Sequence, residues 1–172
     1  MDQWIEELMG ALRSGRAEDI DGTRVAADLS LSDRVVNQAI AAQIRPGGPV
    51  RDVVIRSEPG RAKVTVKLTR PSFLPPISVT LTVDAQPELP ASPVLVLRLG
   101  MAPGVAALLG AGVNLMTVLP PGVRLDGDRV FIDLAATLEE RGHGYLLQYA
   151  RSVKVSFEDA RTVVHLYADT KA

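Results

Sequence analysis

Strict alternation of apolar and polar residues predicts antiparallel strands in two stretches of this chain. In 62–69 the apolar side chains take the even positions, with Lys63 and Lys67 between them, and in 77–86 they take the odd positions. A period of two places one face of a strand against a core and the other face in water. Shorter apolar stretches predict further strands at 23–29, 53–55, 123–125, 130–132, 153–157 and 162–168. The strand predicted at 93–99 differs, because it is apolar on both faces apart from Arg98.

Three short interruptions between these strands predict hairpins. Residues 58–61 read Glu-Pro-Gly-Arg, residues 158–161 read Glu-Asp-Ala-Arg, and Asp126-Gly127 is a dipeptide typical of type I′ turns. Strands joined by such tight turns pair with each other in an antiparallel sheet.

Apolar residues spaced by three and four positions predict helices elsewhere in the chain. One begins after Ser32, a candidate N-cap, and ends at the Pro-Gly-Gly-Pro run at 46–49. A short helix is predicted from Asp133, another candidate cap, through Glu140. An amphipathic helix over about 1–20 is predicted to pack at the periphery of the protein.

Residues 99–123 contain no charged side chain, although charges are scattered on both sides. The length would suit a membrane span, which needs about 20 apolar residues. Glycines at 100, 104, 110 and 112, with Asn114 and Thr117, dilute the apolar character of the interior, however, and Pro103 suits the first turn of a helix over about 103–118. One face of that helix has large apolar side chains and the other has small ones, so we expect it to be buried inside a soluble protein.

These elements predict one α+β domain over 1–172, in which two apolar helices cover the dry face of a long antiparallel sheet. The sequence has no detectable repeat period and no low-complexity linker.

Composition limits the classes of function that remain. The chain of 172 residues has a formal net charge of −1, which provides no general attraction to nucleic acid. It has no cysteine, which excludes disulfides, thiolate zinc sites and cysteine nucleophiles. The N-terminal residues do not resemble a secretory signal, so we expect a cytoplasmic protein if Met1 is native, and a periplasmic one if an export signal has been removed.

Motifs for catalysis are missing from the sequence. Of the two histidines, His143 lies between glycines and His165 lies on the polar side of a strand. Neither belongs to a zinc, serine-hydrolase or phosphate-loop motif. We therefore expect no enzymatic activity, no cofactor and no bound metal.

A basic strand face offers a second kind of site. Arg61, Lys63 and Lys67 share the wet side of one strand, which suits transient contact with an anionic headgroup at a membrane surface. The alternative is a solvated face on which lysine discourages aggregation, and this is the outcome we expect. Aromatic side chains for base stacking are missing here, which disfavours nucleic acid as a partner.

Three stretches together resemble small bacterial members of the tubular lipid-binding (TULIP) superfamily. They are LSDRVVNQAIAAQI, RAKVTVKLTRPSFLPPISVTLTVDAQPEL and LPPGVRLDGDRVFIDLAATLEERG, which span much of the chain from about residue 30 onward. The resemblance implies a strongly curved antiparallel sheet wrapped around apolar helices, with a lipid or another hydrophobic molecule held between helix and sheet.

Two functions follow as expectations. The first is a non-enzymatic carrier or sensor of a lipid or other hydrophobic ligand. The second is a structural or protein-interaction module with a fully packed core and no ligand, because packed interiors leave few voids. For the first, the expected lining residues are Val36, Ile40, Ile44, Leu95, Leu97, Leu108, Leu109, Ala111, Leu115 and Met116.

Overall fold

The computed structural model describes residues 22–44, 46–69, 75–100 and 121–170, together with Gly10, Ser14 and Leu119. The predicted N-terminal helix and the predicted helix over 103–118 therefore lie outside the described residues, apart from Gly10 and Ser14. The elements within them are β1 (Arg24–Ser32), α1 (Asp33–Ala41), β2 (Val50–Glu58), β3 (Arg61–Leu68), β4 (Ile77–Ala85), β5 (Val94–Gly100), β6 (Val123–Asp126), β7 (Arg129–Asp133), α2 (Leu134–Glu140), a 3-10 helix (Gly144–Gln148), β8 (Ala150–Glu158) and β9 (Arg161–Asp169). Neither α-helix is long and apolar enough to cross a membrane, and the search behind this finding covered only the described part of the chain.

All strand pairs are antiparallel, and the strands divide into two sheets rather than the one long sheet expected. Six strands pair in the order β2-β3-β4-β5-β7-β6, and three pair in the order β1-β9-β8. The strands as a whole are strongly curled. The expected class, α+β with a curved antiparallel sheet, is therefore confirmed.

The inner face of the six-stranded sheet forms the main apolar core among the described residues. Val64 lies opposite Val79, and Val66 lies opposite Ile77, so that the apolar positions of neighbouring strands meet on one side. Val64, Ile77 and Val79 are buried there. The predicted alternation is confirmed where β3 and β4 pair, since the register brings their paired apolar positions to the same face.

The two sheets join where the tips of two hairpins meet. Gly60 N donates to Phe157 O at 2.9 Å, and Ala160 N donates to Ser57 O at 3.1 Å. The side chain of Gln86 adds a second link, because its amide both donates to Val155 O (2.8 Å) and accepts from Val155 N (2.9 Å). The amide of Gln86 thus satisfies backbone groups of β8, an edge strand of its sheet.

The two joined hairpins are copies of one structural unit. β2 and β8 begin at residues 50 and 150, and each has a register irregularity after its first residue. Each turn is closed by an ion pair between a glutamate and an arginine, 58 with 61 and 158 with 161. Each hairpin follows a strand and a helix, so the first structural unit is β1-α1-β2-β3 and the second is β7-α2-β8-β9, which has the 3-10 helix between α2 and β8. The hydrogen bonds between the two hairpin tips are reciprocal. The likeness does not extend to the first strand of each unit, because β1 pairs with β9 whereas β7 pairs with β5 and β6.

Helix α1 covers the outer edge of β2 with two polar side chains one turn apart. The amide of Asn37 donates to Ile55 O (2.9 Å) and accepts from Ile55 N (2.7 Å), and Asp33 Oδ2 accepts from Ser57 N (2.8 Å). An uncovered edge strand would expose these groups for unwanted pairing.

Two details of the predicted elements need correction. Helix α1 ends at Ala41, so Ile44 lies beyond it, and Ser32 occupies the N-cap position without a side-chain capping bond. The turn after β6 has Gly127 and Asp128 at its centre, with a positive φ (59°) at the glycine and none recorded at Asp128. That pattern fits a type II′ turn rather than the expected type I′ turn. Asp133, by contrast, caps α2 as predicted, because its Oδ1 accepts from Ala136 N at 3.1 Å.

The hydrogen bonds of Asn37 along the edge of β2 provide a first prediction. Asn37→Ala should lower the free energy of unfolding by about 1–3 kcal/mol, because Ile55 N–H and C=O lose their partners at a half-buried position. Urea denaturation followed by circular dichroism measures the change. Gln38→Ala is the matched control, since Gln38 is the exposed neighbour on the same helix. Equal losses for the two variants would contradict the role of Asn37.

Candidate functional site

An apolar cavity of about 370 Å³ lies between α2, the 3-10 helix and the inner face of the three-stranded sheet. No charged side chain belongs to its described lining. The lining residues are Thr23, Val25, Leu134, Thr137, Leu138, Leu146, Leu147, Tyr149, Ala150, Val153, Leu166, Ala168 and Thr170.

Local structure directs the leucines of the helical segments toward this space. Leu134 and Leu138 are four residues apart, so they lie on one face of α2. Leu146 and Leu147 come from the 3-10 helix that follows the turn at Gly142. The capped start of α2 and the turn after it therefore bring two pairs of leucines to one wall.

The sheet provides the opposite wall, and small residues there leave room. Ala168 pairs with Ala150 on β8 and with Val25 on β1, so two alanines stand side by side on the inner face. Leu166 lies two positions before Ala168 on β9, and Val153 lies three positions after Ala150 on β8, beyond the register irregularity. Because Leu166 and Val153 are opposite each other, they share the inner face with the alanines. Leucine at either alanine position would project into the cavity.

Two of the three threonine hydroxyls of the lining, those of Thr137 and Thr170, are already used by the backbone. Thr137 Oγ1 donates to Asp133 O at 2.7 Å, and Thr170 Oγ1 donates to Thr23 O at 3.1 Å. A hydroxyl that is paired in this way presents mainly its methyl group to a neighbour. The cavity therefore favours an apolar occupant, since a polar one would lose its hydrogen bonds to water without replacement.

A second cleft occupies the corresponding place in the first structural unit but differs in chemistry. It has a volume of about 560 Å³ and is the more open of the two. Ile44, Pro46 and Val50 contribute to it, where the second unit has Gly144, Leu146 and Ala150. Arg51 and Asp52 bring charge to its rim. We therefore take the cavity of the second unit as the candidate site for an apolar ligand.

The expected lining residues do not come together at this cavity. Leu95 and Leu97 are buried on the inner face of the six-stranded sheet, opposite Ile132 and Val130. Val36 and Ile40 are half-buried on α1, and Ile44 belongs to the second cleft. Outside the described residues lie Leu108, Leu109, Ala111, Leu115 and Met116.

Sequence reasoning missed the leucines that line the cavity, although a signal was present. Four leucines lie on either side of Gly142 within one short segment, at positions 134, 138, 146 and 147. So many leucines close together indicate a shared apolar surface. The helix from Asp133 was predicted, but nothing in the local pattern showed that its apolar side faces a second sheet.

Neither histidine of the described chain belongs to the described lining of the cavity. His165 Nδ1 lies 2.6 Å from Asp28 Oδ1 on the exposed outer face of the three-stranded sheet. The ring of His143 packs edge-on against Tyr145, with 6.3 Å between centroids. Among the residues that the structure describes, no group of three histidine, aspartate or glutamate side chains could hold a metal ion.

Comparison with known proteins identifies no relative for this fold or this cavity. No family model, no curated protein and no solved structure matches the chain.

Proposed function

We propose that this protein is a non-enzymatic carrier or sensor that binds a lipid or another hydrophobic small molecule in the cavity of its second structural unit. The observation that supports this most is the apolar lining of a space of about 370 Å³. Sites for small molecules usually measure about 300–1,000 Å³ and are lined mainly by apolar side chains.

The energetics favour an occupant of this kind. Apolar surface transferred from water gains about 25 cal/mol per Å². The five leucines of the lining offer such surface to an apolar ligand. The proposal includes the TULIP-like arrangement of sheets wrapped on two apolar helices, of which the helix over 103–118 lies outside the described residues.

A specific observation favours the alternative, a protein-interaction module. Along β1, Val25, Leu29 and Leu31 point to the same apolar face, yet they are 41%, 49% and 37% exposed. Exposed apolar side chains in a row are typical of surfaces that meet a partner. The same row is also continuous with Val25 in the cavity lining, so it is compatible with an extended apolar ligand.

Filling the cavity separates the two functions. Ala168→Leu should weaken binding of a dansyl-labelled fatty acid by at least about tenfold while changing the melting temperature little, because the new side chain enters existing space. Fluorescence titration and thermal unfolding measure the two effects. The matched control is Ala26→Leu. Ala26 lies opposite Tyr167 on the same pair of strands, one position from the pair formed by Val25 and Ala168. Its side chain therefore faces away from the cavity.

Under the alternative, the parent shows no saturable binding of the fatty acid. Ala168→Leu would then overpack a closed core and cost about 1–3 kcal/mol. Native mass spectrometry of the purified parent adds an independent measurement. A co-purifying apolar mass supports the carrier, whereas a ligand-free parent together with a destabilised Ala168→Leu variant overturns it.

A further inference from the structure

The outer face of the six-stranded sheet has more basic than acidic side chains. Most of the basic ones are neutralised by carboxylates on neighbouring strands. The ion pairs are Lys67–Asp52 (3.5 Å), Arg61–Glu58 (2.7 Å), Arg98–Asp84 (2.7 Å) and Arg129–Asp84 (3.0 Å).

One pair of cations on this face has no such counter-charge. Arg56 and Lys63 lie directly opposite each other on β2 and β3, and both are exposed. Among the described residues, no carboxylate lies within ion-pair distance of either side chain. Like charges opposite each other on one face of a sheet destabilise it. The arrangement therefore has a cost that a bound anion would remove.

The row that contains this pair continues on the next two strands with a threonine and a glycine. Lys63 lies opposite Thr80, and Thr80 lies opposite Gly100 on the next strand. A side chain at Gly100 would crowd Thr80, since its Cβ would come within 3.3 Å of Thr80 Cβ. Two cations and a hydroxyl thus follow one another across three strands on this face, and Gly100 adds no side chain at the end of the row.

The sequence alone favoured a solvated strand face, but the facing pair of Arg56 and Lys63 changes that expectation. We propose that Arg56, Lys63 and Thr80 bind the phosphate groups of anionic phospholipids and dock this face on a bilayer surface. A guanidinium donates two parallel hydrogen bonds to phosphate, and lysine adds a compact charge. The positive face complements an anionic bilayer, where each basic residue near the surface contributes attraction. The inference goes beyond the proposed function and does not depend on it.

Nucleic acid also carries phosphate groups that such a face would attract, but the face is poorly suited to bind its bases. On β7 this face of the sheet has the aromatic side chain of Phe131, and the guanidinium of Arg124 lies over that ring, 4.7 Å from its centroid. A covered ring is not available to stack on a base.

Co-sedimentation with vesicles tests the proposal on the full chain. The protein should bind vesicles of phosphatidylcholine mixed with phosphatidylglycerol, and should not bind phosphatidylcholine alone. Binding should weaken as ionic strength rises, because the Debye length falls to about 8 Å at physiological salt. Lys63→Gln should lower the partition coefficient about fivefold, and Arg56→Glu at least about tenfold, since each basic residue contributes roughly 1 kcal/mol near the surface.

The charge reversal has a second readout that a structural role would not produce. Arg56→Glu places a carboxylate opposite Lys63, so the melting temperature should stay level or rise while vesicle binding falls. The matched control is Lys154→Glu. Lys154 is an exposed mid-strand lysine on the outer face of the other sheet, opposite His165, and the charge change is the same. This control should leave vesicle binding within about twofold of the parent.

Three outcomes would overturn the proposal. The first is equal binding to neutral and anionic vesicles. The second is an equal loss of binding in Arg56→Glu and Lys154→Glu, which would report net charge rather than this site. The third is tighter binding to duplex DNA than to anionic vesicles at the same salt concentration. Fatty-acid binding of Arg56→Glu should match the parent, so that failure of membrane docking and failure of the cavity proposal are separately visible.

Discussion

Gly122→Ala is expected to destabilise this protein more than any other single change considered. Gly122 has a φ of 79°, and an added Cβ would lie 2.8 Å from Thr137 Oγ1 and 3.0 Å from Asp133 O. The left-handed backbone costs about 1–2 kcal/mol for an L side chain, and forced overpacking adds about 1–3 kcal/mol. The sum is about 2–5 kcal/mol, or a fall in melting temperature of about 4–20 °C for a chain of this size.

The atoms that would be displaced belong to the start of α2, so the consequence extends to the cavity. Gly122 O accepts from Asp133 N at 2.7 Å, and Asp133 in turn caps the helix that carries Leu134 and Leu138. Thermal unfolding by circular dichroism measures the loss, and fatty-acid titration should show weaker binding at temperatures where the variant is still folded.

Gly60→Ala is the matched control for this substitution. Gly60 has nearly the same φ, 77°, but its added Cβ would meet nothing within 4 Å. In the second unit the equivalent turn position is Ala160, which adopts a φ of 57°. Gly60→Ala should therefore cost only about 1–2 kcal/mol, the backbone contribution alone. If Gly122→Ala lowers the free energy of unfolding no more than this control does, the close contact between Gly122 and α2 is contradicted.

The second large effect is expected for Gln86→Leu. Leucine is similar in size but lacks the amide, so Val155 N–H and C=O would both lose their partners at the junction of the two sheets. A fully buried unpaired group costs about 1–3 kcal/mol. Because this junction is only half-buried and water can reach part of it, we expect a total loss of about 2–4 kcal/mol in the free energy of unfolding. Chemical denaturation measures it.

Two comparisons make the test of Gln86 specific. Gln86→Glu keeps an acceptor for Val155 N–H but turns a carboxylate oxygen toward Val155 O, so it should also destabilise the protein although the size of the side chain is unchanged. Thr82→Leu, on the same strand but outside this junction, should be close to the parent. A glutamate variant as stable as the parent would argue against the paired hydrogen bonds.

Strand positions were predictable because alternation is a local property. The pattern at 62–69 depends on residues that are neighbours in the chain, and β3 (Arg61–Leu68) follows it closely. Helix ends were less predictable. Apolar residues continue to Ile44, but α1 ends at Ala41. Beyond it, Gln43 N and Ile44 N donate to carbonyls three residues back, so the chain continues as tight turns instead of a helix.

The repeat within the chain was not predictable from the sequence, because the two units share too few side chains. A turn needs a positive φ at one position and strands need alternation, and many residues satisfy those demands. The two hairpins accordingly keep their irregularities and their closing ion pairs while most residues differ. The matching pairs are Arg51 and Arg151, Val53 and Val153, Glu58 and Glu158, Arg61 and Arg161, and Val64 and Val164.

Local patterns were sufficient to establish an α+β chain rich in antiparallel hairpins, a capped helix after Asp133, and the dry face that carries Leu95 and Leu97. They could not say which strands share a sheet, since pairing of β1 with β9 joins residues from opposite ends of the chain. The location of the cavity followed from that long-range pairing. Ala168 stands beside Val25 and Ala150 only because β9 lies between β1 and β8, and this contact places an apolar wall opposite the leucines of α2.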